Sequence, residues 1–565
     1  MTAIDLNPGL LMIVAGIVAA MLPWRARRIL SIAAPAFGIA ILLVTPLGSE
    51  SVATVAGVPL TILRLDALAF PFALIFLIAA LLNAIYALHQ DDWRQDAAGM
   101  IYAGAAIGAA LAGDLATLFI YWELTALSSV FLILAAGTKR ATEASLRYLV
   151  WQIGSGVLLL AGLLIHYRAT GSLAFGHMQL GSAGTWLIFV AFGIKCAFPL
   201  LHNWVQDAYP EATVTGTVML SAFTTKLAVY AFARAFAGEG LLVPIGAVMI
   251  CFPVLFAIIE NDLRRVLAFS LNSQLGFMIV AIGIGSEMAI NGAVGHAFAH
   301  IIYKGLLFMS IGAVLYRTGT AKASELGGLY RSMPWTTAFC IIGALSIAGF
   351  PLTSGFVTKT LTLGAAEYAG YFWIGLLILF ASAGVFEQAG VKVPFFAFFG
   401  KDSGRRVKEA PANMLAAMGI AAAACIFIGL FPSVVYGILP YPVTKSPYTV
   451  DGVIIKLQIL AFSLLAFAVL VRKGLWPQDV ASTNLNTDWL LRKPGAALLG
   501  GIVALASWVN DRIASSGDAA ERGASSLMQV VNGPNTPFGK PWPTGRMAFW
   551  TTVMLGAYLF LWYVV

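Results

Sequence analysis

Charged residues are scarce in this chain of 565 residues. Only 11% of the residues are Asp, Glu, Lys or Arg, and 60% are hydrophobic, whereas a soluble domain carries about 25% charged residues. So small a share of charge cannot cover the surface of a 59.9 kDa globule in water. The composition excludes a soluble globular protein and predicts an integral membrane protein that crosses the bilayer many times.

Cysteine is also rare, and the sequence has no long polar tract, no collagen-type Gly-X-Y repeat and no glycine-rich dinucleotide fingerprint. The cysteines lie far apart within apolar runs, without a Cys-X-X-Cys pair: Cys196, Cys251, Cys340 and Cys425. This spacing excludes a recognisable zinc or iron–sulfur site and a disulfide framework. We therefore expect no cofactor and no metal on this chain.

Long hydrophobic runs are abundant. A helix needs roughly 20 apolar residues to cross the hydrocarbon core, and this rule predicts an all-α polytopic protein with about 14–16 transmembrane helices. The approximate spans are 8–23, 30–47, 66–88, 97–113, 114–137, 144–167, 184–201, 213–236, 241–259, 264–285, 289–316, 334–351, 371–399, 412–435, 452–471 and 547–565. Prolines or glycines interrupt 195–215 and 349–367, which predicts broken or re-entrant helices there, and the alternating segment 51–64 predicts a short extramembrane hairpin.

Basic residues are concentrated in alternate connections between these spans, such as Arg25, Arg27 and Arg28 after the first one. The positive-inside rule then places both termini outside and the basic loops in the cytoplasm. It also accounts for the net charge of +8 by topology, without nucleic-acid binding. Because the first apolar run lacks a basic segment before it, we expect no cleavable signal peptide.

The segment 477–545 is the one long stretch of more soluble character. Within it, 497–509 is apolar but short for a span, which favours an interfacial or partner-docked helix. A tilted extra span is the alternative, and it would reverse the orientation of the last helix.

Several charges fall inside the apolar runs. Each such charge costs about 2.5–3.5 kcal/mol at a helix centre, and five lysines would together cost about as much as a whole protein's folding stability of about 5–15 kcal/mol. The charges in question are Glu123, Lys195, Lys226, Lys304, Lys359, Lys392 and Glu387. We predict that they occupy a hydrated or paired interior. Snorkelling to the headgroups is the alternative, which suits Lys456 and Arg234 near span ends and stays open for Lys392.

Lysine suits proton transfer because burial destabilises its charged form and a nearby carboxylate restores it. His296, His300 and Lys304 follow at intervals of four residues and therefore share one helix face. Imidazole titrates near neutral pH, which favours a protonatable row. Zinc binding is disfavoured because lysine is a poor third ligand, and core histidines bonded to backbone carbonyls remain an alternative.

Six segments carry a resemblance to a known family. In order they are 113–129 (GDLATLFIYWELTALSS), 192–212, 220–234, 260–276, 292–308 (GAVGHAFAHIIYKGLLF) and 350–359 (FPLTSGFVTK). They resemble the motifs of the antiporter-like subunits: the large proton-pumping membrane subunits of respiratory complex I, their hydrogenase relatives, and the A and D subunits of Mrp Na+/H+ antiporters. Lys359 and the run TTKLAVYAFAR are most similar to the D-type subunit of Mrp antiporters.

The resemblance implies two inverted five-helix repeats, each with a broken helix. It also implies an input ion pair between Glu123 and Lys195, a central relay of Lys226 with His300 and Lys304, and an exit-side lysine at Lys359. The expected division is N-terminal helices with the hairpin in 1–95, the repeats in 96–260 and 261–410, C-terminal core helices in 411–475, a cytoplasmic or interfacial segment in 476–545 and a final helix in 546–565.

The sequence departs from the family at two places. Trp204-Val205-Gln206-Asp207-Ala208-Tyr209 stands where relatives commonly read W-L-P-D-A-H. The span after the one that carries Glu123 reads Trp151-Gln152-Ile153-Gly154 in the region where some relatives have an acid. Roles assigned to those positions in relatives therefore do not transfer to this chain.

Three hypotheses follow. The first is a proton-translocating membrane subunit of a multi-subunit cation/proton antiporter in a bacterial plasma membrane, with Mrp-like A, B, C, E, F and G subunits as partners and with Na+ as an open question. The second is a proton-pumping subunit of complex I or of a membrane-bound hydrogenase. The third, a solute carrier or an inert scaffold, predicts one convergent pocket or lysines that affect stability alone.

Overall fold

The computed structural model describes residues 7–55, 57–476, 489, 491–531 and 544–564, and almost all of its regular structure is helical. The chain divides into two compact units, Met1–Asn484 and Leu485–Val565. The first unit holds the long series of helices and a single hairpin. The predicted all-α polytopic fold is confirmed.

The first unit begins with two helices, a hairpin and four further helices: α1 (Pro8–Ala19), α2 (Trp24–Val44), β1 (Ser49–Val55), β2 (Val58–Leu65), α3 (Ala69–Tyr86), α4 (Trp93–Ala110), α5 (Leu115–Leu134) and α6 (Lys139–Thr170). The central helices follow: α7 (Ala183–Lys195), α8 (Asn203–Ala208), α9 (Val214–Ala222), α10 (Thr224–Ala235), α11 (Leu242–Ile259), α12 (Leu263–Ile284) and α13 (Glu287–Thr318).

The first unit ends with α14 (Pro334–Ala348), α15 (Ser354–Tyr368), α16 (Phe372–Val385), the π-helical segments Phe386–Lys392 and Phe395–Phe399, α17 (Ala412–Leu430), α18 (Pro432–Tyr436) and α19 (Val450–Arg472). Among the described residues, 11 helices are long and apolar enough to cross a membrane, with α9–α10 counted as one, and α1, α7 and α14 are shorter apolar helices.

The second unit contains α20 (Ala496–Val531) and α21 (Thr544–Val564). The helix predicted at 497–509 is therefore much longer than its apolar part, because the Ala-rich and Arg-containing residues after it also favour helix. Residues 477–488, 490 and 532–543 of the segment lie outside the described residues. The six-part division of the chain stays a prediction.

The hairpin predicted at 51–64 is confirmed. β1 and β2 pair antiparallel, with a register irregularity between Ser51 and Val52. The backbone of β2 also bonds to the connection between α4 and α5, since Arg64 N donates to Leu111 O (2.6 Å) and Gly113 N donates to Thr61 O (2.9 Å). The hairpin is thus fixed to the end of the helix that precedes α5.

Arg234 and Asp66 form a bidentate ion pair just after the hairpin, with N–O distances of 2.5 and 2.7 Å. Arg234 therefore has an internal partner and does not need to snorkel. Burial alone would raise the pKa of Asp66, but the hydrogen bonds and the charge of Arg234 outweigh it and lower this pKa. The stabilisation is present above the ordinary carboxyl pKa and is lost as pH falls through the lowered one.

The most polar spans occupy the middle of the first unit. The apolar window of the α9–α10 span is 100% buried, and those of α12 and α13 are each 94% buried, whereas that of the very apolar α19 is only 17% buried. This is the reverse of a water-soluble core, and it is the arrangement expected when hydrocarbon surrounds the protein. The helices that carry the candidate charges are therefore the shielded ones.

Both predicted helix breaks are present. The first separates α7 from α8, and the second separates α14 from α15. The described non-glycine residues with positive φ all lie in these breaks: Ala197 (60°), Leu200 (68°) and Leu352 (70°). A left-handed residue ends the hydrogen-bond ladder of a helix and leaves carbonyls without helical partners. The inverted relation of the two repeats stays a prediction.

Arg264 holds the linker between α8 and α9 in place. It is only 4% exposed, and its guanidinium donates to Pro210 O and Ala212 O, both at 2.8 Å. A planar guanidinium can bond several carbonyls at once. This side chain therefore fixes the linker against α12.

We predict that Arg264→Met lowers the unfolding free energy by at least about 2 kcal/mol, because buried carbonyls lose their donor. The measurement is thermal unfolding of the assembled protein in detergent. The control is Arg265→Met, whose nearest carboxylate oxygen, on Glu260, is 3.9 Å away, and its expected cost is below about 1 kcal/mol. Equal losses in the two variants would contradict the assigned role of Arg264.

Candidate functional site

All the candidate residues lie in the first unit, and most are completely enclosed. Lys195, Lys226, His296, His300, Lys304 and Lys392 are 0% exposed, Lys359 is 7% exposed, and Glu123 is half-buried. These side chains come from α5, α7, α10, α13, α15 and the π-helical segment after α16. None of the lysines points to the outer surface.

Lys195 is the last residue of α7, and it bonds to α5. Its Nζ donates to Trp122 O (2.5 Å) and Thr125 Oγ1 (2.8 Å), and it lies 4.4 Å from the centroid of the Trp122 ring. Cation–π contact adds to the hydrogen bonds in stabilising the charged amine. Lys195 is thus anchored beside Glu123, which follows Trp122 on the same helix.

Glu123 does not contact Lys195 directly. The ion pairs of the described residues do not include these two groups, and Glu123 Oε1 is buried without a hydrogen-bond partner. The ion pair implied by the family resemblance is therefore not closed in this structure, because a carbonyl and a hydroxyl satisfy the Lys195 amine. The two groups remain near enough to interact electrostatically.

Gly156 of α6 provides the space for the Glu123 carboxylate. A Cβ at this position would lie 1.2 Å from Glu123 Oε1, so no other residue fits beside the observed rotamer. Gln152, one turn earlier, is buried and has no partner for either amide atom. Sequence analysis noted Gln152 for a missing acid, but it did not find Gly156, because a glycine in a helix has no chemical signal of its own.

Lys226 is held by its own polypeptide. Its Nζ donates to Ser221 O at 2.5 Å, across the interruption between α9 and α10. The interruption deprives Ser221 O of its usual helical donor four residues later. The local break therefore supplies the acceptor that the enclosed amine needs.

The histidine row lies between α12 and α15. His296 forms hydrogen bonds of 3.2 Å with Thr358 Oγ1 and with Gln274 Oε1, and the Tyr303 hydroxyl donates to the same amide oxygen at 3.1 Å. Tyr303 and Thr358 were missed from sequence. Tyr303 could have been found, since it lies seven residues after His296 and thus on the same face of α13.

His300 lies at the centre of the row. It is close enough to interact electrostatically with Lys226, His296, Lys304 and Lys359. Neither of its ring nitrogens has a protein partner, which is also true of Thr225 Oγ1 and of both amide atoms of Asn272. Buried polar groups are normally hydrogen-bonded, so we expect water to satisfy this group of atoms.

Lys304 and Lys359 continue the row. Lys304 Nζ donates to Ser270 Oγ. Lys359 Nζ donates to Ile347 O at 2.5 Å, a carbonyl at the end of α14 that the second helix break leaves free. Lys359 also lies 5.3 Å from the centroid of the Phe277 ring. Each amine in the row thus has an acceptor that is not a carboxylate.

Lys392 has a different environment. Its Nζ donates to Ile258 O and to Glu260 O, both at 2.7 Å, where α11 ends. A positive charge is favourable at the negative end of a helix dipole. These contacts give Lys392 a structural role as a cap of α11, and its part in a relay stays a prediction.

Sequence analysis favoured a snorkelling position at the headgroups for Lys456, and the structure places its side chain differently. It is half-buried, and its Nζ donates inward to Ser382 Oγ at 2.6 Å instead of extending to the headgroups. It lines a cavity of about 280 Å³ together with Lys359. A lysine near the end of a span can snorkel to the headgroups or turn inward, and its sequence position does not distinguish the two.

Comparisons with known proteins agree with this architecture. Residues 112–386 match the family described as NADH:quinone oxidoreductase/Mrp antiporter, TM. Hydrogenase-4 component B of Escherichia coli (strain K12) is 28% identical over 424 residues, which cover 66% of this chain and 62% of that protein. The match therefore spans less than two thirds of this relative's length.

The D subunit of the Na(+)/H(+) antiporter of Bacillus subtilis (strain 168) is 28% identical over 447 residues, which cover 73% of this chain and 88% of that protein. Among solved structures, a chain of the membrane-bound sulfane sulfur reductase (MBS), an archaeal respiratory membrane complex, superposes with a TM-score of 0.70 and 25% identity, over 98% of this chain and 99% of that chain.

On the hypothesis of a proton-translocating subunit, we predict that Gly156→Ala reduces proton transport at least tenfold, because the added methyl group displaces the Glu123 carboxylate. The assay is acidification of vesicles that contain the whole complex. The matched control is Gly154→Ala on the same helix, where a Cβ meets nothing within 4 Å, and transport there should equal wild type. Full transport by Gly156→Ala would show that the position of this carboxylate does not matter.

Proposed function

We propose that this chain, a member of the NADH:quinone oxidoreductase/Mrp antiporter family through residues 112–386, moves protons as a membrane subunit of a multi-subunit cation/proton antiporter. The observation that carries the proposal is the enclosed row of basic groups from Lys226 to Lys359. Within it each member interacts electrostatically with another: His300 with Lys226, His296 and Lys304, and His296 with Lys359.

The acceptors in this row suit proton transfer. A neutral amine and an ammonium can both donate to a carbonyl or a hydroxyl, so the hydrogen bonds of Lys226 and Lys359 survive deprotonation. A carboxylate partner would instead favour the charged form strongly. Amines bonded to carbonyls can therefore gain and lose protons without losing their position.

The pair of Glu123 and Lys195 acts as the gate in this proposal. Lys195 is held by Trp122 O and Thr125 Oγ1, while Glu123 Oε1 is free of hydrogen bonds. In this proposal Lys195 rotates and exchanges these acceptors for the carboxylate. The move would change the positive potential along the row and thus the proton affinity of Lys226.

Partner subunits are part of the proposal. Relatives of this chain are subunits of membrane complexes, and the finer assignment is an Mrp-like set of A, B, C, E, F and G subunits in a bacterial inner membrane. The role of the row is confined to protons, and passage of Na+ through this chain is not proposed.

A redox-driven complex is the second candidate. The matched chain of the membrane-bound sulfane sulfur reductase covers 98% of this chain, whereas the family region ends at residue 386. The same proton row would then be driven by electron transfer in other subunits. Mild detergent extraction separates the two cases: iron–sulfur subunits would co-purify in the second, and small hydrophobic subunits in the first.

We predict that Lys226→Ala and Glu123→Ala each abolish proton-coupled transport while the complex still assembles. The first removes the central amine, and the second removes the gate. Transport is measured as a pH change in everted vesicles, and assembly is measured by size exclusion. Lys408→Ala, at an exposed loop position, is the control. Wild-type rates in either variant would refute the proposed mechanism.

A further inference from the structure

Lys456 lines the same cavity as Lys359, and the proton row proposed above does not include it. The volume of this cavity is about 280 Å³, and a single water needs only about 10–15 Å³ of such space. The residues that line it come from α12, the second helix break, α15, α16, α19 and the loop before α19. Lys456 is the basic residue that α19 contributes.

Lys456 and Lys359 converge at the second helix break. A Cβ at Gly349 would lie 3.2 Å from Lys456 Cε and 3.4 Å from Lys359 Cδ, so both side chains pass over this residue in near contact. The two amines interact electrostatically. Each is bonded to a neutral acceptor, Lys456 to Ser382 Oγ and Lys359 to Ile347 O.

The far side of the cavity is polar and exposed. Glu367, Lys445 and Asp451 line it, and all three residues are exposed in the first unit. Two carboxylates at an exposed rim can accept protons from water and release them again. The cavity therefore joins an enclosed amine, a half-buried amine and a rim of titratable groups.

The Lys456 side chain points into the protein, although its helix offers a less costly direction. The apolar window of α19 is only 17% buried, so a lysine on this helix could have faced the outer surface and reached the headgroups. It turns inward instead, to a hydroxyl on α16. A side chain that only needed solvation would gain nothing from this position.

We propose that Lys456 is a further proton-relay residue, which exchanges protons with Lys359 through water in the cavity and passes them to the rim of Glu367 and Asp451. The Lys359 ammonium gives a proton to water and becomes a neutral amine, while the neutral Lys456 amine takes a proton from water and becomes an ammonium. This step conserves charge and protons. It rests on the proposed function, which it extends into α19, outside residues 112–386.

The first test compares three substitutions in vesicles that contain the whole complex. Lys456→Met removes the amine. Lys456→Arg keeps a positive charge and hydrogen-bond donors but cannot give up a proton. We expect both to lower proton transport at least tenfold and Lys473→Arg, at an exposed position after α19, to leave it unchanged. Normal transport by Lys456→Arg would overturn the inference, because a fixed charge would then suffice.

Lys226→Ala is measured in parallel to separate the two proposals. If it abolishes transport while Lys456→Arg transports normally, only the inference about Lys456 is wrong. If Lys226→Ala and Lys456→Arg both transport normally, the proposed function is wrong as well. Size exclusion shows whether each complex has assembled.

A chemical rescue keeps the test independent of folding. The Lys456→Cys variant is treated with an aminoethyl thiosulfonate, which restores a titratable amine, or with its trimethylammonium analogue, which adds a fixed charge. We expect transport to return only with the aminoethyl reagent. Rescue by both reagents, or by neither after mass spectrometry has verified the modification, would overturn the inference. A thiol that resists both reagents would contradict a cavity open to water.

Treated wild-type protein is the control for the four native cysteines. Cys251 is the only one of them that is not fully buried, and its modification should leave transport unchanged. A reagent effect on wild-type transport is subtracted from the rescue. The comparison is made between the two reagents on the same preparation.

Discussion

The structure depends on how ammonium groups are held away from water. An enclosed ammonium needs acceptors for its protons, and helices satisfy their own carbonyls everywhere except at their ends. Three of the enclosed amines therefore take their acceptors where a helix is interrupted or ends. Lys226 uses Ser221 O beside the α9–α10 interruption, Lys359 uses Ile347 O at the end of α14, and Lys392 uses carbonyls at the end of α11. For these three lysines the helix end supplies the acceptor, whereas Lys195 bonds to Trp122 O within α5 and Lys304 bonds to the Ser270 hydroxyl.

This arrangement explains why the least apolar spans are central. A helix that carries a charge must be surrounded by other helices, whereas an apolar helix can face hydrocarbon at no cost. The apolar window of the α9–α10 span is accordingly 100% buried. Enclosure also brings the basic groups near each other, so the protonation of one changes the electrostatic potential at the next. The need to shield charges from hydrocarbon thus accounts both for the central position of these helices and for the closeness of the basic groups in the proposed proton row.

Much of the architecture could be predicted from the sequence. The apolar runs predicted the helices, proline and glycine predicted both breaks, and the cost of charge selected the residues of the row. The direction in which each side chain points could not be predicted. Lys456 and Lys359 have the same chemistry and both occur in apolar runs, yet only the packing of α16 against α19 shows that Lys456 turns inward. Likewise, the need for glycine at position 156 follows only from the position of the Glu123 carboxylate beside it.

Three properties follow from the amino-acid sequence alone: the chain spans a membrane, amines and carboxylates occur within its apolar runs, and helices are broken within 195–215 and 349–367. They depend on local composition and on a cost that each residue carries alone. The packing of the helices settles which acceptor each amine uses. It places Lys195 against Trp122 O and not against Glu123, and it brings Lys359 and Lys456 to one cavity. Those outcomes depend on distances between helices far apart in sequence, and a hydrogen bond is lost within about one ångström of misplacement.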